Sequence, residues 1–273
     1  MAPVLISSTP PGLLLGQDSP RLFPDRALLP ALFSGPRDPV AKAELVFVTD
    51  NPNAFGDGVE AELSLGIGLP MLRLAGHATS DAVVLGIEGA AFARFGLQLT
   101  EREMIATDWV FAVPLVWHRG HHWLRLRYYH TSSHLGDEYA RHFDVEGMNF
   151  ARDAVDALLF TQLFPIAGAY AGARWAYSVH PEDSGRWTLR AGMQLGHSEG
   201  TRALLPYGTA DVEIEDDTDW TPLVSLQAGV WLPEVGGRRA LRFGVGLLTG
   251  PSPLGQFRSE RTAQVTIGVS GSI

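Results

Sequence analysis

The sequence predicts one all-β domain, an antiparallel up-and-down transmembrane β-barrel of about twelve strands. Three observations predict it. Segments of about ten residues alternate between apolar and small or polar side chains, the period a strand with two different faces requires. The connections between them alternate long and short, as in a meander that crosses a membrane repeatedly. The last alternating segment, Ala263 to Ile273, runs to the end of the chain, although Ile273 stands where an aromatic residue is usual.

Taken in order, Val40 to Val48 is the first expected strand and Val59 to Leu69 the second. In the second, Val59, Ala61, Leu63, Leu65, Ile67 and Leu69 oppose Gly58, Glu60, Glu62, Ser64, Gly66 and Gly68. An amphipathic helix cannot hold that alternation on one face. Val83 to Phe95 sets Val83, Leu85, Ile87, Ala91 and Phe95 against Gly86, Glu88 and Arg94. Asp108 to Trp117 and Trp123 to Ser132 follow around a tight turn at Gly120 flanked by His118, His121 and His122, expected as interfacial polar residues. Phe150 to Leu163 also suits a helix through Ala154, Ala157 and Leu158. Next come Ala167 to Val179, Trp187 to Leu195, Leu204 to Ile214, Pro222 to Leu232, Ala240 to Thr249 and the closing segment. An even count leaves both termini on one side. The long connections, through Asp50 to Asp57, Ser133 to Met148, Asp211 to Asp219 and Gly250 to Ser259, then face outward. Those at Arg119-Gly120, Phe164 to Ile166 and Pro233 to Gly237 face the periplasm. Residues 1–39 form an N-terminal extension and 40–273 the barrel.

Composition agrees with this reading. The 273 residues are 45% hydrophobic but only 19% charged, below the ~25% typical of soluble domains. No run approaches the ~18 to 20 apolar residues of a spanning helix. With no cysteine, disulfides, thiolate metal sites and cysteine nucleophiles are excluded. A net charge of -9 with scattered basic residues argues against nucleic acid as a partner. Met1 to Pro20 holds Leu13-Leu14-Leu15 without a basic flank and is interrupted by Pro10-Pro11, so an exported barrel requires its leader to be removed or to lie upstream. Trp109, Trp117, Trp123, Tyr128, Tyr129, Trp175, Tyr177, Trp187, Tyr207, Trp220 and Trp231 fall near strand ends, as aromatic residues at headgroup level do.

Chemistry concentrates between Tyr128 and Tyr139. With Arg125 and Arg127 assigned to the lumen, Leu124, Leu126, Tyr128, His130 and Ser132 share the lipid face. A His and a Ser two apart, near the outer headgroups, are placed to reach a lipid ester. His130-Thr131-Ser132 resembles the H-x-S motif of outer-membrane phospholipases and lipid A deacylases, with Ser133 where that motif commonly continues with Asn. The resemblance implies Ser132 as nucleophile and His130 as general base, with Glu138, Asp144 or Glu146 as the orienting acid. The alternative is a hydrogen-bonded network ordering the outer loop, and His130, His134 and Asp137 or Glu138 also have the residue types of a metal site.

A broader similarity rests on His130 to Tyr139, Ser252-Pro253-Leu254-Gly255-Gln256-Phe257, Arg37-Asp38-Pro39 and Phe92-Ala93-Arg94-Phe95 before a Trp109-containing strand. By these the chain resembles an uncharacterised family of bacterial exported proteins, the domain of unknown function 1207. That resemblance implies an outer-membrane-type barrel and no assigned activity. Asp211, Glu213, Glu215, Asp216, Asp217 and Asp219 crowd one stretch; it reads either as a solvated hairpin tip or as a divalent-cation site, for calcium or for bridging to lipopolysaccharide. Glu60, Glu62, Glu88, Arg94, Arg125, Arg127, Arg190 and Arg242 are the expected lumen charges. Three functions follow: a non-enzymatic barrel acting as structural element, small pore or envelope-complex subunit; a membrane-lipid esterase; and a soluble barrel holding an apolar ligand.

Overall fold

The computed structural model describes residues 20–78, 80–98, 101–196, 204–232 and 241–271. A two-residue strand, β1 (Arg21–Leu22), precedes twelve longer ones: β2 (Ala41–Asp50), β3 (Gly58–Ala78), β4 (Asp81–Gly96), β5 (Met104–Arg119), β6 (His122–Leu135), β7 (Phe150–Phe164), β8 (Ala167–His180), β9 (Trp187–Leu195), β10 (Leu205–Glu215), β11 (Pro222–Leu232), β12 (Leu241–Pro251) and β13 (Arg261–Gly271). A short helix, α1 (Asp137–Phe143), lies between β6 and β7. Each long strand pairs antiparallel with its neighbours in sequence, and β13 returns to pair with β2. Every strand edge of the cylinder is thereby used, which is what a sheet in hydrocarbon requires. β1 adds only at the end of β3, Arg21 opposite Arg73.

All twelve expected segments are strands. The doubtful one, Phe150 to Leu163, is β7 and not a helix, because its alternation places Phe150, Arg152, Ala154, Asp156 and Leu158 inside. Ile273, Ala240 and the connection Pro233 to Gly237 lie outside the described residues.

The two faces invert the soluble pattern. Leu63, Leu65, Ile67, Phe243, Val245, Leu247, Val265 and Ile267 stand on the exposed exterior, while Glu60, Glu62, Glu88, Arg94, Arg125 and Arg127 are buried inside. Apolar outside and ionic inside is the arrangement of a barrel surrounded by lipid. Of the aromatic residues expected at headgroup level, Trp109, Trp117, Tyr128, Trp175, Tyr177, Trp187 and Trp220 are exposed. Trp123, Tyr129 and Tyr207 are instead buried, and Trp231 takes the inward parity of β11, where it lies within 5.9 Å of the Arg242 guanidinium. Their strand parity, not their place near an end, decides the face. The same rule turns His118, expected at the interface, inward, where the imidazole Nε2 meets the Leu28 carbonyl at 2.9 Å.

The lumen is filled from two sources. The chain ahead of β2 folds back into the barrel: Leu29 and Leu32 pack with Val116, Trp123, Leu158 and Tyr170, and Leu28 with Ala82 and Val84. Part of the expected N-terminal extension therefore belongs to the barrel's own core. Deeper charges are paired: Arg94 with Glu60 at 3.0 Å and Glu62 at 2.6 Å, Arg127 with Glu88 and Asp156 at 2.8 Å each. Charges so sealed need partners, since burial of an unpaired one is prohibitive.

Inward glycines make room for this plug. A Cβ on Gly66 would lie 2.2 Å from the Pro39 carbonyl carbon and 2.3 Å from the Val40 nitrogen, and backbone cannot step aside as a side chain would. Gly66→Val is expected to dislodge the segment and to cost roughly 1–3 kcal/mol of stability. Faster proteolytic trimming ahead of β2, with the barrel intact, is the measurement.

The plug's polar anchor is Asp38, which accepts two hydrogen bonds of 2.8 Å from Arg190 and one of 2.8 Å from the Gly35 N–H. Burial opposes ionisation of its carboxyl, but the Arg190 charge and these bonds outweigh that and hold it below the usual carboxylate range. A carboxyl lowered on folding stabilises the docked state above its unfolded value of about 3.9, and that contribution is lost as pH falls through the folded value. Hydrogen-exchange protection factors in the plug, which are corrected for the intrinsic pH dependence of exchange, are accordingly expected to stay constant from pH 8 to 5 and to fall only below about 4.

Candidate functional site

β6 carries the site because its alternation continues to its outer end. Arg125, Arg127, Tyr129 and Ser133 turn inward and are buried, while Leu126, Tyr128, His130, Ser132 and His134 take the other face. From the turn at Gly120, Ser132 is twelve residues up the strand. At about 3.3 Å per residue and a tilt near 40° this is roughly 30 Å along the membrane normal, beyond an apolar band of about 25 Å. The exposed Trp109, opposite Ser132 in the ladder, fits the same headgroup level.

His130 and Ser132 are two residues apart on one face, about 6.6 Å between Cα atoms, which an imidazole can span. The orienting acid comes from the next strand. Asp153 of β7 is the register partner of His130, and its Oδ1 lies 2.9 Å from His130 Nδ1. The same oxygen accepts a 2.5 Å hydrogen bond from the Tyr128 hydroxyl. With Nδ1 engaged by the carboxylate, the tautomer with hydrogen on Nδ1 leaves a lone pair on Nε2, the nitrogen that takes a proton from a serine. The Ser132 hydroxyl has no hydrogen bond to a described residue, so it is free to rotate.

Glu138 and Asp144 do not take the expected role. Glu138 sits in the first turn of α1, and Asp144 ends that helix in the left-handed conformation, φ 51°. α1 is tied instead to the barrel mouth: Tyr139 donates to no acid but accepts the Ala54 N–H at 2.7 Å, and packs with Phe55, Phe143 and Phe257. Asp153 was hidden by its segment's helical ambiguity. Its signal in the sequence is a lone acid of outward parity, between Ala151 and Val155, on a strand whose other charges, Arg152 and Asp156, face in.

The acidic stretch is also redistributed. Asp211 accepts from Tyr170 and from Arg190 Nε at 2.7 Å, Glu215 and Asp217 hold Arg152 at 3.2 and 2.6 Å, and Arg258 meets Asp217. Asp216 receives the backbone N–H groups of Arg186 and Trp187 at 3.0 Å each. Glu213 faces Arg174 at 3.7 Å, and Asp219 takes a left-handed turn conformation, φ 51°. Bases absent from the local sequence thus arrive from other strands, and among the described residues no three His, Asp or Glu side chains are grouped to hold a metal ion.

The segments of the broader similarity converge at the outer end. Gln256 donates to the carbonyls of Ser133 at 2.8 Å and Met148 at 2.9 Å, Arg37 bonds the Pro253 carbonyl at 3.1 Å and pairs with Asp108 at 2.7 Å, and a Cβ on Gly255 would strike Ser133 at 2.5 Å. A family model described as Protein of unknown function (DUF1207) matches residues 15–272. The chain belongs to that family. In this chain the residues that carry the similarity lock plug, barrel wall and outer connections together. No curated protein sequence matches the chain. Among solved structures, outer membrane phospholipase A from Escherichia coli superposes with a TM-score of 0.58 at 14% identity, covering 88% of this chain and 94% of that one. The Salmonella typhi phospholipase dimer with bound calcium gives 0.56 at 14%, covering 90% and 96%. KdgM porin gives 0.48 at 8%, covering 86% and 99%. At these identities the likeness is one of fold, that of outer-membrane barrels.

Proposed function

We propose that this barrel resides in the outer membrane and hydrolyses lipid esters at its outer face, with Ser132 as nucleophile, His130 as general base and Asp153 as the acid that orients the imidazole. The 2.9 Å contact between His130 Nδ1 and Asp153 Oδ1, on the exterior face that also bears Ser132, carries the reading. Ser132 Oγ attacks the ester carbonyl carbon as its proton passes to His130 Nε2. The imidazolium, stabilised by Asp153, returns that proton to the departing alcohol. Water then repeats the sequence in reverse on the acyl-enzyme. A phospholipase among the proteins of similar fold supports the choice of substrate class, and so does a site that lipid can reach without entering the lumen. The segment ahead of β2, packed across part of the lumen through Leu28, Leu29 and Leu32, speaks against an open pore.

The second reading is a non-enzymatic barrel, favoured by one observation: Tyr128 and His130 both bond Asp153, and such a cluster also staples β6 to β7 without chemistry. The full chain in mixed detergent–phospholipid micelles separates the two. Release of fatty acid, and labelling of Ser132 by a fluorophosphonate, are expected; absence of both overturns the esterase in favour of the staple.

A further inference from the structure

A cavity occupies the outer half of the lumen, on the opposite face of the β6–β7 wall from the exterior triad. Six arginines and four carboxylates line it, together with Thr131, Thr218, Thr221 and Ser252. Five of the arginines are committed to carboxylates. Arg37 is held by Asp108 at 2.7 Å, Arg127 by Asp156 and Glu88, Arg190 by Asp38 and Asp211, and Arg152 and Arg258 by Asp217.

Arg174 is different. It makes no hydrogen bond to a described residue, and its nearest carboxylate oxygens are 3.6 Å away on Asp156 and 3.7 Å away on Glu213. Its Nε is sealed from solvent with no acceptor. The guanidinium lies 4.2 Å from the centre of the Tyr129 ring, a contact that satisfies its charge but none of its N–H groups. Arg152 adds a second sealed Nε without an acceptor, on a side chain only 8% exposed. Buried donors left unmade cost about 1–3 kcal/mol each, and the planar guanidinium fork is matched by phosphate and carboxylate oxygens.

We infer that this cavity binds a small soluble oxyanion, a phosphate or carboxylate group, centred on the Arg174 guanidinium, which is ion-paired at 3.6 and 3.7 Å but makes no hydrogen bond to a described residue. The closed wall separates it from lipid headgroups, and its lining includes Thr218 and Thr221 of the β10–β11 connection and Ser252 and Arg258 of the β12–β13 connection. The ligand is therefore a solute that enters at the end bearing the long connections. Glu213, which faces Arg174 without a hydrogen bond of its own, opposes an anion and sets its affinity.

The test is isothermal titration of the full chain in detergent micelles with inorganic phosphate and with acetate, against chloride at equal ionic strength. One of the two oxyanions is expected to bind saturably at one site. Arg174→Gln is expected to weaken it at least tenfold, and Glu213→Gln to tighten it several-fold. If neither probe binds beyond chloride, the inference fails. It fails equally if a folded Arg174→Gln protein binds as the wild type does. Should Arg174→Gln not fold, Glu213→Gln decides alone, with unchanged or weaker binding counting against the site.

Discussion

Ser132→Ala is expected to lower the hydrolysis of phospholipid esters by at least about 10³-fold. Removing the nucleophile of a serine hydrolase costs as much as removing the whole catalytic unit, because the remaining members act only through it. His130→Ala should fall equally far. Asp153→Ala removes only the group that orients the imidazole and is expected to lose about 10²–10⁴-fold. The Ser132 hydroxyl makes no hydrogen bond to a described residue, so its alanine variant should melt and run on gels as the wild type does. Fatty-acid release on purified, refolded variants measures all three. Undiminished hydrolysis in folded Ser132→Ala protein removes the assignment.

Arg190→Ala is the substitution expected to harm stability most. Arg190 bonds Asp38 of the plug twice at 2.8 Å and Asp211 of β10 at 2.7 Å, and Tyr170 donates to Asp211 beside them. Its removal leaves two carboxylates buried without the guanidinium that bridges them. Breaking a buried pair in this way costs about 3–5 kcal/mol, more than the intact pair contributes over an apolar substitute. Reversible urea unfolding in micelles, followed by tryptophan fluorescence, should show the drop. A double replacement, Arg190→Met with Asp38→Asn, should recover part of it by removing charge on both sides. A loss under about 1 kcal/mol would mean that water reaches these carboxylates.

The strand framework was readable because one parity rule serves every segment: Leu63, Leu65 and Ile67 cannot share a face with Glu60 and Glu62. What the rule did not supply was the inside of the cylinder. Nothing in the residues ahead of β2 announces that Leu29 and Leu32 meet Trp123 and Tyr170, since that contact joins elements distant in the chain. The partner of Arg190 is likewise 152 residues away. At the exterior site, His130 and Ser132 follow from one strand's alternation, whereas Asp153 needs the β6–β7 register. That register depends on the length of an outer connection that contains α1, and a sequence pattern does not fix it. Sequence order alone therefore points downstream to Glu138 and Asp144, whereas the carboxylate that meets the His130 imidazole is on the neighbouring strand.

On the proposed assignment, the triad's position on the outside of the cylinder has a kinetic consequence. Its ester does not arrive from bulk solution but slides sideways within a leaflet, so the concentration that matters is a mole fraction in two dimensions. Diluting the bilayer with lipids that lack the ester should slow turnover in proportion, while changing the water volume around the same vesicles should leave it unaltered. Wetting of the interface then governs how readily the acyl-enzyme is cleared, since the nucleophilic water has to reach Ser132 at the boundary where Trp109 stands.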